Sequence, residues 1–213
     1  MSKITGIEVQ KKNPKRVNVF IDEEFSFGCD AELIYRYGLR KDEKVDVERI
    51  KTIIEEEDFI KCKNAALKTI ERTYKTEKEI RDKLIAKAFP ENLIKRTLDF
   101  LKEYNFLDDK LYTEMYLKDK IGNQGKNKIY YSLLRKGVSE ELLKDKINNI
   151  DTDREQEGAY TLCKKKYDSL IKRESDTLKI SQKLFRFMAS KGYDFDMINR
   201  LIKKVMKSDQ FME

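Results

Sequence analysis

The sequence predicts a mainly α protein: three tandem three-helix repeats forming an elongated, bowed array, preceded by a small N-terminal β-containing α/β head. Three observations carry that prediction. Beyond the head, apolar residues recur at gaps of 3, 4 and 7, the spacing of an amphipathic helix. The same apolar pattern returns twice, at offsets of 49 and 55 residues. Strand-like alternation is confined to the first segment.

In the head, Ile4, Gly6 and Val9 sit in short β-like runs, and Asn13-Pro14 marks a turn. Val17, Val19 and Ile21 alternate with Arg16, Asn18, Phe20 and Asp22, as in a half-buried strand with Phe20 covered on its other side. A third strand is expected at Glu24-Phe25-Ser26-Phe27, after a turn at Asp22-Glu23. Asp30 is placed to cap a short helix bearing Ala31, Leu33, Ile34 and Tyr37, which Gly38 ends. Helix resumes near Asp46 and passes Ile50 and Ile53-Ile54. The acidic run Glu55-Glu56-Glu57-Asp58 is expected to be a surface join to the next unit.

The repeats align residue by residue. Ile80 matches Ile129 and Leu184; Leu84 matches Leu133 and Met188; Leu93 matches Leu142 and Met197. Ile94, Leu143 and Ile198 follow, then Leu98, Ile147 and Ile202, then Leu101, Ile150 and Val205. Each unit breaks at its middle, at Phe89-Pro90, Gly137 or Gly192, so each reads as two helices joined by a tight turn. A further helix precedes each pair, around Ala65-Ala66-Leu67, Tyr112–Leu117 and Leu162–Tyr167. The expected division is 1–57, 58–107, 108–151 and 152–213, with much of the stability supplied by contacts between neighbouring units.

Capping chemistry marks the boundaries. Thr76-Glu77-Lys78-Glu79 has the spacing of a capping box. Pro90 suits a first helical turn, and Ser139 and Asp194 suit N-caps.

Composition narrows the function. Lys plus Arg number 46 and Asp plus Glu 39, a formal charge of +7. The balance is uneven: residues 1–57 carry a net −2 and the remainder +9, so attraction to a polyanion belongs to the helical part. Cys29, Cys62 and Cys163 have no metal-site spacing and read as buried free thiols. No apolar signal or membrane-length segment is seen, and a cytoplasmic monomer without cofactor is expected.

An enzyme is not expected. Histidine is absent, and with it the commonest general base at neutral pH. Neither a Walker A loop nor a dinucleotide fingerprint is present. Asp108 and Asp109, with Asp119, can be drawn as a magnesium cluster, but adjacent aspartates more often cap a helix. Asp151, Asp153 and Glu155 fit an inter-repeat turn and an acidic first helical turn as well as a metal site.

Two basic regions are candidates for partner binding. Lys118, Lys120, Lys126, Lys128, Arg135 and Lys136 surround the single acid Asp119, with Tyr130 and Tyr131 among them and a flexible loop expected at Gly122–Gly125. Lys164, Lys165 and Lys166 form the second, followed by Lys172 and Arg173. Lysines hold phosphates without reading bases, and an exposed ring can stack. One of the two tyrosines is expected in the core and the other available. Lys87, Lys136 and Lys191 recur at equivalent repeat positions, either lining one face or complementing helix C-termini. Ordinary solvation of helices explains any one of these lysines; the clusters favour a binding surface.

At these residues the chain resembles the RecX family, bacterial regulators of the RecA recombinase. Ala66-Leu67 precedes Thr76-Glu77-Lys78-Glu79-Ile80-Arg81-Asp82-Lys83-Leu84, and Phe106-Leu107-Asp108-Asp109 precedes Tyr112 at the family's Leu-Asp-Asp junction. Gly125, Lys126, Lys128 and Leu133 lead to Lys136-Gly137-Val138; Lys183-Leu184 leads to Lys191-Gly192-Tyr193, Asp196 and Ile198. The likeness spans about residues 60–205. It departs from the family at Asn105 and Lys126, where glycine and proline are usual, and the first repeat has Ala88 where the later repeats have glycine. The resemblance implies a non-catalytic, inhibitory modulator of RecA. Such a protein would bind the RecA–DNA filament in its groove and affect filament assembly, ATP hydrolysis and strand exchange. It also implies single- or double-stranded DNA as a partner, directly or within the filament. A sequence-nonspecific DNA-binding protein is the alternative, and a magnesium-dependent nuclease a distant third.

Overall fold

The computed structural model describes residues 2–150 and 152–209. The chain divides into two compact units, Met1–Tyr74 with Ile80–Leu107, and Lys75–Glu79 with Asp108–Glu213.

The first unit opens with β1 (Ser2–Gln10), β2 (Asn13–Ile21) and β3 (Glu24–Asp30), followed by α1 (Ala31–Arg36) and the short β4 (Lys44–Val45). They form an antiparallel sheet of order β3-β2-β1-β4. The turn at Asp22-Glu23 has φ of 50° and 70°, the left-handed pair that matches strand twist in a two-residue hairpin. Non-glycine residues hold it because the Asp22 and Glu23 amides donate to Lys3 O and Thr5 Oγ1, at 2.9 and 2.8 Å. Asp30 caps α1 through Glu32 N, and Gly38 takes φ 62° just beyond that helix. β4 has only two residues and leaves no periodic trace in the sequence.

The helix α2 (Val47–Ile70) departs from expectation. It runs unbroken through the acidic stretch where a join was expected. Glutamate is a good helix former, so the run itself contains no stop. Glu57 does not face water. It is 2% exposed, pairs with Arg16 at 2.6 Å, and accepts the Asp30 amide at 2.6 Å. Ile53 of α2 packs in the head core with Ile4, Val17, Val19, Phe27, Cys29 and Leu33. Cys62 and Ala66, further along the same helix, pack in the first-repeat core. One helix therefore serves two cores in succession.

The first repeat is completed by α3 (Glu77–Ile85) and α4 (Glu91–Glu103). The second consists of α5 (Asp109–Lys120), α6 (Lys126–Arg135) and α7 (Glu140–Asn148). The third consists of α8 (Thr152–Leu170), α9 (Thr177–Ser190) and α10 (Phe195–Asp209). The matched apolar positions all turn inward. Leu142, Ile147 and Ile150 are half-buried against the second core, and the others are buried. The second and third repeats have separate apolar clusters, and hydrogen bonds run between them. Each set of three helices turns its apolar stripes toward its own cluster.

The second helix of every repeat, α3, α6 or α9, ends in the same way. Ala88, Gly137 and Gly192 have φ of 60°, 90° and 87°. The next amide in each case, that of Phe89, Val138 or Tyr193, reaches back to Leu84, Leu133 or Met188 O at 3.2–3.4 Å. This is a Schellman end. Asn105 closes α4 likewise, at φ 56°. Pro90 lies at the N-cap of α4, one position before the helix. Ser139 caps α7 through Leu142 N, and Asp194 accepts Met197 N at the start of α10.

The glycines are needed for space as well as for φ. A Cβ on Gly137 would lie 2.4 Å from Lys78 Cβ, and one on Gly192 2.3 Å from Lys128 Cβ. Ala88 is exposed and carries its Cβ at the cost of a left-handed alanine. Ala88→Gly is expected to raise stability by about 0.5–1 kcal/mol. Gly137→Ala is expected to lower it by about 1–3 kcal/mol. Urea unfolding of the two variants beside the parent checks both signs.

Candidate functional site

The second unit is organised by a junction used twice. At the start of α3, Thr76 makes the expected capping box: Glu79 N donates to Thr76 Oγ1, and Thr76 N donates to Glu79 Oε2. The Thr76 hydroxyl also donates to Lys136 O at 2.6 Å, and Lys78 Nζ donates to Arg135 O at 3.1 Å. The Glu77 amide, unsatisfied by its own helix, donates to Asp109 Oδ1 at 2.9 Å. The start of α6 repeats the scheme against the third repeat. Gly125 N donates to Lys191 O at 3.0 Å, Lys128 Nζ to Ser190 O at 3.1 Å, and Lys126 N to Glu155 Oε1 at 3.0 Å. By contrast α9, with 14 residues against 10 in α6, supplies its own cap: Asp176 Oδ1 accepts from Leu178 N and Lys179 N.

These contacts give the acidic residues structural work. Asp108 caps its own helix α5 through the Lys110 and Leu111 amides, while its neighbour Asp109 caps the start of α3. Glu155 is 3% exposed and faces α6, with Lys126 Nζ 3.3 Å from its second oxygen. Asp119 pairs with Lys120 at 2.7 Å. Among the described residues, no group of three or more Cys, Asp or Glu is arranged to hold a metal ion. Asp151 lies outside the described residues. The three thiols are free and buried. Burial pushes Cys29 and Cys163 up to about 11, helped at Cys29 by the Glu57 carboxylate, which keeps both as unreactive thiols.

The candidate lysines fall into two groups. Several are tied into the protein. Lys126 pairs with Glu155, Lys128 donates across the junction, and Lys136 reaches Glu79 Oε1 at 2.5 Å while lying 5.5 Å from the centre of the Tyr112 ring. Lys166 and Lys191 sit over the Phe187 ring at 5.3 and 5.4 Å, Lys120 sits over Tyr116 at 6.0 Å, and Lys164 is 3.9 Å from Asp168. The others face solvent: Lys118, Arg135, Lys165, Lys172 and Arg173 in the second unit, and Lys87 after α3 in the first. Tyr130 packs against the second core, whereas Tyr131, edge-on to it at 5.3 Å, is 62% exposed. The expected flexible loop at Gly122–Gly125 is a closed turn, because the Asn123 and Gln124 amides both donate to Lys120 O at 2.9 Å. Among the described residues, no helix is long and apolar enough to cross a membrane.

Comparison with known proteins matches this layout. The profile of the regulatory protein RecX N-terminal domain matches residues 2–46. Those of the first, second and third RecX three-helix domains match residues 62–101, 108–145 and 153–202. A regulatory protein RecX of Clostridium perfringens is 58% identical over 213 residues, covering 100% of both chains. The chain belongs to the RecX family. A RecX of Clostridioides difficile is 35% identical, covering 99% of each chain. A crystal structure of regulatory protein RecX shares the fold at a TM-score of 0.73, with 23% identity, over 96% of this chain and 100% of that one. RecX from Lactobacillus salivarius does so at 0.60, with 24% identity, over 70% and 96%.

The departures from the RecX pattern now have physical accounts. Asn105 reaches the left-handed region that glycine would occupy. Lys126, where proline is usual, donates its backbone amide to Glu155, a bond proline cannot make. The long-range role of Glu155 was invisible in the sequence; an acidic first helical turn looks the same whether its carboxylate caps another helix or meets water.

Glu79 reports on one junction by titration. Burial works against its carboxylate, but Lys136 and the Thr76 amide outweigh it and hold the pKa below the ordinary 4.5. Its stabilisation is therefore complete above about pH 4.5 and is lost as pH falls through the lower folded value. Glu79→Gln is expected to be less stable near neutrality and to lack that part of the acid dependence. Denaturant midpoints from pH 3 to 7 check it.

Proposed function

We propose that this chain is a non-catalytic regulator of the RecA recombinase that docks on the RecA–DNA filament through lysines of its second and third repeats. Membership of a regulatory family along the chain carries the reading. The solvent-facing set Lys118, Arg135, Lys165, Lys172 and Arg173, with exposed Tyr131, supports the choice of surface. Lysines on helices act as point charges toward phosphate or carboxylate and read no bases, which suits a partner with a repeating acidic surface. The protein lies in the filament groove, bridges subunits through several weak contacts, and restrains filament growth, ATP turnover and strand exchange without chemistry of its own.

The test measures association with matched DNA, with and without recombinase, while following ATP turnover. The reading expects binding to the assembled filament under conditions where naked DNA is bound weakly. It also expects Lys118, Lys165, Lys172 and Arg173 changed together to alanine to weaken filament binding by roughly 10-fold or more with the fold intact. Unchanged binding by that variant rejects the surface. Equal binding to recombinase-free DNA, with no effect on filament lifetime or ATP turnover, replaces the reading with a sequence-nonspecific DNA-binding protein.

A further inference from the structure

The second and third repeats do not share an apolar core, so their alignment depends on a few polar contacts. These are the bonds from Gly125 N, Lys126 N and Lys128 Nζ already described, with a bond from the Arg154 guanidinium to Lys118 O at 3.1 Å. Bare backbone touches backbone beside them: a Cβ on Gly158 would lie 2.5 Å from Gly122 O, and one on Gly125 2.4 Å from Gly192 O. Glu155 is the buried charge in this set. One oxygen takes the α6 amide and the other faces the Lys126 ammonium, so a single side chain fixes the start of α8 against the start of α6. Tyr193, next to Gly192 in the chain, is buried in the third-repeat cluster. Burial raises its hydroxyl to about 12, with the Glu155 carboxylate adding to the rise.

The two helices fixed by Glu155 belong to the repeats that carry the proposed docking groups. Lys118 and Tyr131 lie on α5 and α6; Lys165 lies on α8, and Lys172 and Arg173 follow it. We propose that Glu155 is a positioning residue for docking: it holds the two lysine sets in one register, so that they engage a partner as a bivalent surface rather than as two independent ones. The proposal rests on the docking surface proposed above. A preset register makes the second contact effectively intramolecular, whereas a loose junction must order itself on binding.

The test has one arm that needs no partner. Spin labels on cysteines introduced at the exposed positions Glu141 and Ser169 report the distance between the two repeats; the native thiols are buried. A narrow distribution is expected for the parent and a broad one for Glu155→Ala, with helix content unchanged. Glu155→Gln is expected to restore the narrow distribution, because its amide oxygen still accepts the Lys126 amide. An equally narrow distribution in Glu155→Ala overturns the proposal. In the binding arm, Glu155→Ala is expected to weaken filament association by about 10–100-fold. In that background, changing Lys165, Lys172 and Arg173 to alanine should cost little more, although it costs the parent heavily. Losses that simply add overturn the positioning role. If the parent fails to bind filament at all, the docking reading fails, and the distance arm still decides whether Glu155 sets the register.

Discussion

The first amides of an α-helix have no acceptor inside that helix, and in this protein two sets of them are satisfied from the following repeat. The amides of Glu77 and Lys126 find their carboxylates in Asp109 and Glu155. The carbonyls left over at the ends of α6 and α9 take donors from the starts of α3 and α6. Unmet helix ends are costly when buried, so the junctions are specified by hydrogen bonding rather than by oil. That choice leaves each three-helix core closed on itself. Glycine stands where the end of α6 or α9 meets a helix start of the preceding repeat, and exposed Ala88 has room for its Cβ.

Much of the fold was legible because its signals are local. Helical spacing of Ile80, Leu84, Leu93 and Leu98, returning at two fixed offsets, specifies which faces turn inward. Thr76, Ser139, Asp108 and Asp194 announce helix starts by side-chain chemistry that acts within three residues. What misled was also local. Four acidic residues in a row look like a solvated join, yet Arg16 and the Asp30 amide, far away in sequence, draw Glu57 inside. β4 escaped because two residues carry no period.

The candidate surface was legible as a cluster but not as a set of individual roles. Lys126, Lys128 and Lys136 look like Lys118 and Lys165 in the sequence, and only folding sorts them into those that brace junctions and those that meet water. Tyr130 and Tyr131 separate by helical geometry alone, since adjacent residues point in different directions. Glu155 could not be singled out, because its partner amide is contributed by backbone and leaves no sequence trace.

The shared helix α2 has a practical corollary for dissecting the molecule. A boundary drawn at the acidic run would sever a continuous rod in its middle. The head fragment would lose Glu57 or the turns that hold it, and the remainder would begin with a raw helix end. Truncations that respect the fold must keep Val47–Ile70 whole, so the sheet and the first helical repeat are inherited, expressed and lost together.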